Sequence, residues 1–362
     1  MKNLFSWVAL AMAPGVGAVL FKRLLETFRS PERVFQAKTR ELEGVEGIGP
    51  KVAAALRRFD WGPQVEKEIR SAEEKGAELI TWEDAAYPDA LKQIYDPPSL
   101  LYVLGSLAER DQRAVAVVGS RSPTVYGQAA AERITRGLSR QGITVVSGLA
   151  RGIDSISHRS ALAAGGRTIG VLGCGIDVVY PPENRELFGE VAAQGAVVSE
   201  FPLGTPPDRD HFPIRNRIIS GLSLGVAVVE ATLRSGSLIT ARFALEQGRD
   251  VYAVPGNVDS PRSAGTNRLI KQGAKLVTQA EDILEEILPR FSAEPPVPPV
   301  PPKLSAEEEK VYALLGHQFL HVDEITSQSG LPTAKVAAIL LSLELAGHIR
   351  QIPGMRFAKI SA

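Results

Sequence analysis

Between residues 110 and 290, short apolar runs alternate with longer amphipathic stretches. The runs occupy 114–118, 143–146, 168–172, 196–199, 225–229 and 251–254 and are rich in Val, Ile and Ala. Between them, the stretches at 128–140, 155–164, 183–193 and 238–247 carry apolar residues at helical spacing. A run without polar alternation is a strand buried on both faces, so the pattern predicts a parallel sheet covered by helices on both sides. That is a doubly wound α/β core, whose ligands bind beyond the carboxyl ends of its strands.

The flanks follow other patterns. Residues 1–75 read as helices with two similar turns, Pro14-Gly15-Val16-Gly17 and Val45-Glu46-Gly47-Ile48-Gly49, each leading into an amphipathic helix. An apolar residue between two glycines ahead of a helix resembles the helix–hairpin–helix motif, where glycines let a phosphate approach outward-pointing amides. Lys51 stands where a phosphate-binding copy would want a cation. The same turns serve an αα-hairpin that only packs, and both readings stay open. A softer boundary follows near 75–100, read as a loop around Tyr87-Pro88 and Asp96-Pro97-Pro98.

Beyond the core, residues 295–302 read PPVPPVPP. Such a run lacks backbone donors and favours extended polyproline II, so it reads as a semi-rigid linker. After it, 305–315, 322–329 and 333–346 read as three helices, and 349–360 as a strand pair around Pro353-Gly354. This is a winged helix–turn–helix pattern. Its recognition helix would be 333–346, where Lys335 is the only cation. A major-groove reader displays several Arg, Lys, Asn or Gln there, so the tail reads as a protein-contact or weak DNA module. The expected division is a helical domain at 1–75, the α/β domain at 76–290, a linker at 291–303 and a winged-helix domain at 304–362.

Composition changes this picture little. The 41 Lys+Arg balance 41 Asp+Glu, and a local basic site can hide inside that zero sum. With 44% hydrophobic and 23% charged residues the chain is not disordered. The single cysteine, Cys174, excludes a disulfide framework and a multi-cysteine metal site. No metal or cofactor is expected. No apolar run reaches the ~18 residues of a membrane span, and 4–12 with its glycine turn makes a poor signal peptide. A soluble, cytoplasmic protein is expected.

Candidate chemistry gathers at the strand ends. The first strand runs into Gly119-Ser120-Arg121, the second into Ser147-Gly148 and then Arg151, the third into Gly173-Cys174-Gly175. Later, Ser235-Gly236-Ser237 opens a helix. Small residues leave room for an anion, which hydroxyls, amides and arginine forks can hold. Neither G-x-G-x-x-G after the first strand nor G-x-x-x-x-G-K-[ST] is present. Between Lys92 and Lys271 every basic side chain except histidine is arginine, a bias that phosphate recognition or codon usage would both produce. Arg209, Phe212, Arg215, Asn216 and Arg217 fall within nine residues. Cations interleaved with a ring suit single-stranded nucleic acid, whereas a helix entry with solvated arginines and a buried Phe is the alternative. Catalytic readings are weaker. His158 has no nucleophile or metal partner at suitable spacing, Cys174 reads as a small buried residue, and nothing in the spacing of Glu200 and Glu230 makes them an acid–base pair.

These residues carry a resemblance. GSRSPTVYG, VVSGLARGIDSISHRSAL, YPPENREL, SEFPLGTPP, FPIRNRIISGLS, SGSLITARFALEQGRDVYAVPGN and GTNRLIKQGAK follow one another from Ala114 to Lys275. In that order they resemble the DNA-processing protein A family (DprA, also called Smf). The resemblance implies an extended Rossmann-like parallel sheet core between a helix–hairpin–helix or SAM-like domain and a winged helix. It implies a non-enzymatic protein that binds single-stranded DNA during natural transformation, protects it, helps load the RecA recombinase and forms homodimers. The DNA pocket it implies comprises Gly119, Ser120, Arg121, Gly148, Arg151, Arg209, Phe212, Arg215, Arg217, Ser235, Gly236 and Ser237, with Asn216 orienting the arginines. The rival class is a nucleotide-binding enzyme or sensor resembling the lysine-decarboxylase-like nucleoside-monophosphate hydrolases. Their P-G-G-x-G-T loop is absent, the corresponding loop here reading SGSLIT.

Overall fold

The computed structural model describes residues 4–58, 62–290, 304–315, 320–346, 348–352 and 354–359. The proline run, Pro353 and Ile360 lie outside the described residues. Contacts divide the chain into two units, 1–292 and 293–362.

In the first unit nine strands form one sheet. They are β1 (Glu78–Thr81), β2 (Leu100–Gly105), β3 (Ala114–Val118), β4 (Thr144–Ser147), β5 (Thr168–Val171), β6 (Ala196–Ser199), β7 (Gly225–Val228), β8 (Asp250–Ala253) and β9 (Lys275–Leu276). Their order is β1-β2-β6-β5-β4-β3-β7-β8-β9. From β6 to β9 all pairings are parallel. Side chains alternate between two cores: Ala114, Ala116 and Val118 enter one, Val115 and Val117 the other. Burial on both faces is why these strands read as unbroken apolar runs.

Three strands depart from the sequence reading: β1, β2 and the two-residue β9, which adds parallel to β8 beyond the last of the six runs. The 75–100 region, read as a loop, contains β1 and ends at β2, which pairs antiparallel with β1 and β6. An apolar run does not reveal which strand it will join, and this edge pairing is decided by tertiary contacts.

The N-terminal helices are fastened to that edge. Val8, Ala9, Val65 and Ala72 share a core with Leu100 and Tyr102, and the Tyr102 hydroxyl donates to Glu68 Oε1 at 2.7 Å. Within the helical part the glycine turns pack reciprocally. A Cβ on Gly15 would lie 3.2 Å from Val52 Cγ2, and one on Gly47 2.8 Å from Leu20 Cδ2. Gly47 also has φ +91°, while Gly49 faces open space. Gly47→Val is therefore expected to cost about 1–3 kcal/mol by overpacking, and Gly49→Ala to cost little. Thermal melts of the two variants check this; equal melting temperatures would remove the packing role of Gly47.

The second unit contains helices Ala306–Leu314, Val322–Ser329 and Thr333–Leu345 with strands Leu320–His321, Ile349–Ile352 and Arg356–Lys359. Val336, Ile339, Leu340 and Leu343 face its core. The exposed face of Thr333–Leu345 presents Ala334, Ala337, Ala338 and Leu341, and Lys335 is paired with Glu307.

Candidate nucleic-acid interface

Going from β3 to β6 the chain moves across the sheet in one direction, and from β7 to β9 in the other. The switch lies between the parallel neighbours β3 and β7, and a crevice opens beyond their carboxyl ends. There a cleft of about 740 Å³ is bounded by the loops after β3, β4 and β7 and by the first turns of the helix His211–Gly221.

This cleft gathers Gly119, Ser120, Arg121, Arg209, Phe212, Arg215, Ser235, Gly236 and Ser237. Gly119 is there for packing as well, because a Cβ would lie 2.8 Å from Ile153 Cγ1. Ser235 and Ser237 hydroxyls are 2.8 Å apart at the start of the helix Ser237–Glu246. Asn216 Nδ2 donates to Gly236 O at 3.4 Å, tying that loop to the arginine-bearing helix. Arg121 and Arg209 are exposed and have no carboxylate partner among the described residues.

Arg215 is different, being 4% exposed. Its Nη1 donates to Gly148 O at 2.7 Å and to Val171 O, while Nε has no partner among the described residues. Burial lowers its pKa to about 10, against the opposing effect of Asp154, so it stays charged at neutral pH. Gly148 N–H in turn donates to Asp154 Oδ2 at 3.1 Å, and burial pushes that carboxyl upward. A Cβ on Gly148 would lie 2.4 Å from Arg215 Nη1, so glycine is what lets the guanidinium lie on the strand end. Gly148 and Arg151 do not line the main cleft but an adjoining narrow pit, and Arg151 is ion-paired with Glu183.

Arg217 is a correction. It lies on the opposite side of the same helix, 3% exposed, with Nε 3.0 Å from Asp96 and Nη2 2.6 Å from Glu200. Two residues along a helix turn a side chain by about 200°, so Arg215 and Arg217 cannot face one cleft. The stretch around them enters a helix, as the alternative reading had it, yet Arg215 and Arg217 are buried and only Arg209, ahead of the helix, is solvated.

Tyr180 is the residue that sequence reasoning missed. It lines both cleft and pit, its ring 5.7 Å from that of Phe212. Its position in YPPENREL was the available signal.

The candidate catalytic groups are engaged elsewhere. His158 is fully buried between Leu149 N–H, which donates to Nε2 at 3.3 Å, and Thr168 Oγ1, 2.7 Å from Nδ1. Burial lowers its pKa to about 3 and keeps it neutral. Cys174 donates to Val178 O, and burial raises its thiol to about 11. Glu230 accepts from Thr124 N at 3.1 Å and Thr124 Oγ1 at 2.7 Å, holding the start of helix Val125–Arg140. Glu200 holds Arg217.

Comparison with known proteins adds three family matches: DNA recombination-mediator protein A over residues 78–288, a DprA winged helix domain over 294–355 and a helix-hairpin-helix motif over 7–69. The chain is 36% identical to Protein Smf of Synechocystis over 98% of both chains. It is 45% identical to the DNA processing protein DprA of Bacillus subtilis, over 65% of this chain and 80% of that one. The X-ray structure of DNA processing protein A from Streptococcus pneumoniae superposes with a TM-score of 0.70 at 38% identity, covering 79% of this chain and 99% of that one. A structure of the Helicobacter pylori protein, which addresses its single-stranded DNA binding mode, superposes with a TM-score of 0.53 at 30% identity, covering 59% and 97%.

Proposed function

The chain belongs to the DNA recombination-mediator protein A family, and from that premise we propose that it binds single-stranded DNA in the cleft beyond β3 and β7. The observation that carries this reading is the pairing of free cations with rings. Arg121 and Arg209 are exposed beside Phe212 and Tyr180 and have no carboxylate partner among the described residues, with the buried charge of Arg215 behind them. Cations neutralise phosphates and a ring face takes a base of any sequence. Gly119, Ser120, Ser235, Gly236 and Ser237 supply amides and hydroxyls along the same wall, while Gly148 and Arg151 act from the pit.

In this proposal the protein is cytoplasmic, works as a homodimer without catalysing a reaction, shields incoming strands during transformation and helps load RecA. Residues 1–75, 76–290 and 304–362 act as its three modules. The rival nucleotide hydrolase would need a free acid–base pair, and Glu200 and Glu230 are both engaged in holding neighbouring elements; a nucleotide sensor would need only the anion-holding pocket, and competition separates it.

The test is a binding titration with single-stranded and duplex DNA of equal length, with mononucleotides as competitors. Preference for the single strand, unaffected by millimolar mononucleotide, is expected; efficient competition would favour the sensor. Deleting 303–362 is expected to leave affinity within about twofold, because the cleft lies wholly in the first unit and the cation that the tail's third helix exposes, Lys335, is paired with Glu307 beside a row of alanines. A tenfold loss would restore the tail as a DNA module.

A further inference from the structure

The two rings of the cleft present themselves differently. Around Phe212, the guanidinium carbon of Arg121 lies 5.4 Å and that of Arg215 6.0 Å from the ring centroid. The ring of Tyr180 is 5.7 Å away, tilted by 31°. The Gly173 backbone is so near that a Cβ there would lie 2.9 Å from Phe212 Cδ1. A ring has two faces, and a base needs one of them uncovered. Phe212 also lines the cleft but is half-buried, with two guanidinium groups, a second ring and backbone close around it. Tyr180 is 36% exposed and lines the cleft, and its hydroxyl has no hydrogen-bond partner among the described residues.

We propose that Tyr180 is the platform on which a DNA base stacks, and that Phe212 is a positioning residue that holds Arg121 toward a phosphate. The proposal rests on the single-strand reading of the cleft. Its physical basis is a division of labour between two kinds of ring contact. Stacking of a base on an aromatic face is sequence-tolerant and involves no charge. A guanidinium over a ring is held electrostatically while its N–H edges stay free for an anion. Among the described residues Arg121 has no carboxylate to orient it, so the Phe212 ring is the neighbour that can fix its direction. Arg215 behind the ring is already fixed by Gly148 and Val171 carbonyls.

The two roles separate on an abasic strand, which keeps every phosphate and loses every base. Fluorescence anisotropy would compare the full-length protein and its variants on labelled oligothymidylate and on an abasic oligonucleotide of the same length, at three salt concentrations. Tyr180→Ala is expected to weaken oligothymidylate binding about tenfold, to leave abasic binding unchanged and to keep the salt slope. Tyr180→Phe should restore the wild-type affinity, and Tyr180→Leu, which retains bulk without a π face, should not. Phe212→Ala is expected to weaken both strands and to flatten the slope, because Arg121 is no longer held. Equal loss on both strands for Tyr180→Ala, or no loss on either, would overturn the platform. Loss confined to the base-bearing strand for Phe212→Ala would make Phe212 the platform and overturn the division of roles. A wild-type protein that binds neither strand would instead sink the single-strand reading itself.

Discussion

Replacing Arg217 by alanine is expected to destabilise the first unit by about 3–5 kcal/mol, the cost of leaving a buried charge without its partner. For a unit of this size that corresponds to a fall in melting temperature on the order of 10 °C. The reason is the ion-pair cluster behind the helix His211–Gly221, where Arg217 meets Glu200 at 2.6 Å and Asp96 at 3.0 Å. Glu200 and Arg217 are 14% and 4% exposed, so water cannot replace the lost guanidinium.

The effect should depend on pH in a definite direction. Burial raises the pKa of Glu200 above its ordinary 4.5, while Arg217 pulls it down. Without Arg217 the pKa rises further. A carboxyl whose folded pKa exceeds its unfolded value binds protons more tightly in the native state, so stability falls as pH rises from the unfolded value through the folded one. The deficit of Arg217→Ala should therefore be largest near pH 7–8 and shrink toward pH 5. Denaturant melts at three pH values measure it, with a single-strand titration of the folded variant alongside. A stable variant with a reduced salt slope would return Arg217 to the phosphate-binding set.

Arg121→Ala is expected to have the largest effect on binding with little effect on stability. Its guanidinium is exposed and makes no ion pair among the described residues, so removing it strands no buried partner. A hydrogen bond to a charged group contributes about 1.5–3 kcal/mol, so affinity at low salt should fall about 10- to 100-fold. The slope of log K against log salt should flatten by about 0.7, the value for one phosphate on a single strand. Arg121→Lys should keep the slope better than the affinity, since it retains the charge and loses the fork. Arg151→Ala should do much less, because Arg151 is already paired with Glu183. Titrations at three salt concentrations decide: an unchanged slope in Arg121→Ala would remove its phosphate contact.

The sequence by itself determined the alternating α/β core, since strands buried on both faces must be apolar throughout and six of them stood out as such runs. It also placed Gly119, Ser120, Arg121 and the serine turn at 235–237 at the carboxyl ends of the strands, because strand ends fix where those loops emerge. The winged helix was legible in the same way, from three helical patterns and a turn. Tertiary structure decided the rest. β1 and β2 join the sheet antiparallel through contacts distant in sequence, which local periodicity does not encode. Arg215 and Arg217 look alike as neighbours in the chain, but helical rotation sends one to the cleft and the other to two carboxylates. Tyr180, 32 residues before Phe212, comes beside it only because the loop after β5 and the helix His211–Gly221 meet at one sheet edge. Which ring keeps a face open for a base depends on that meeting, and no run of residues records it.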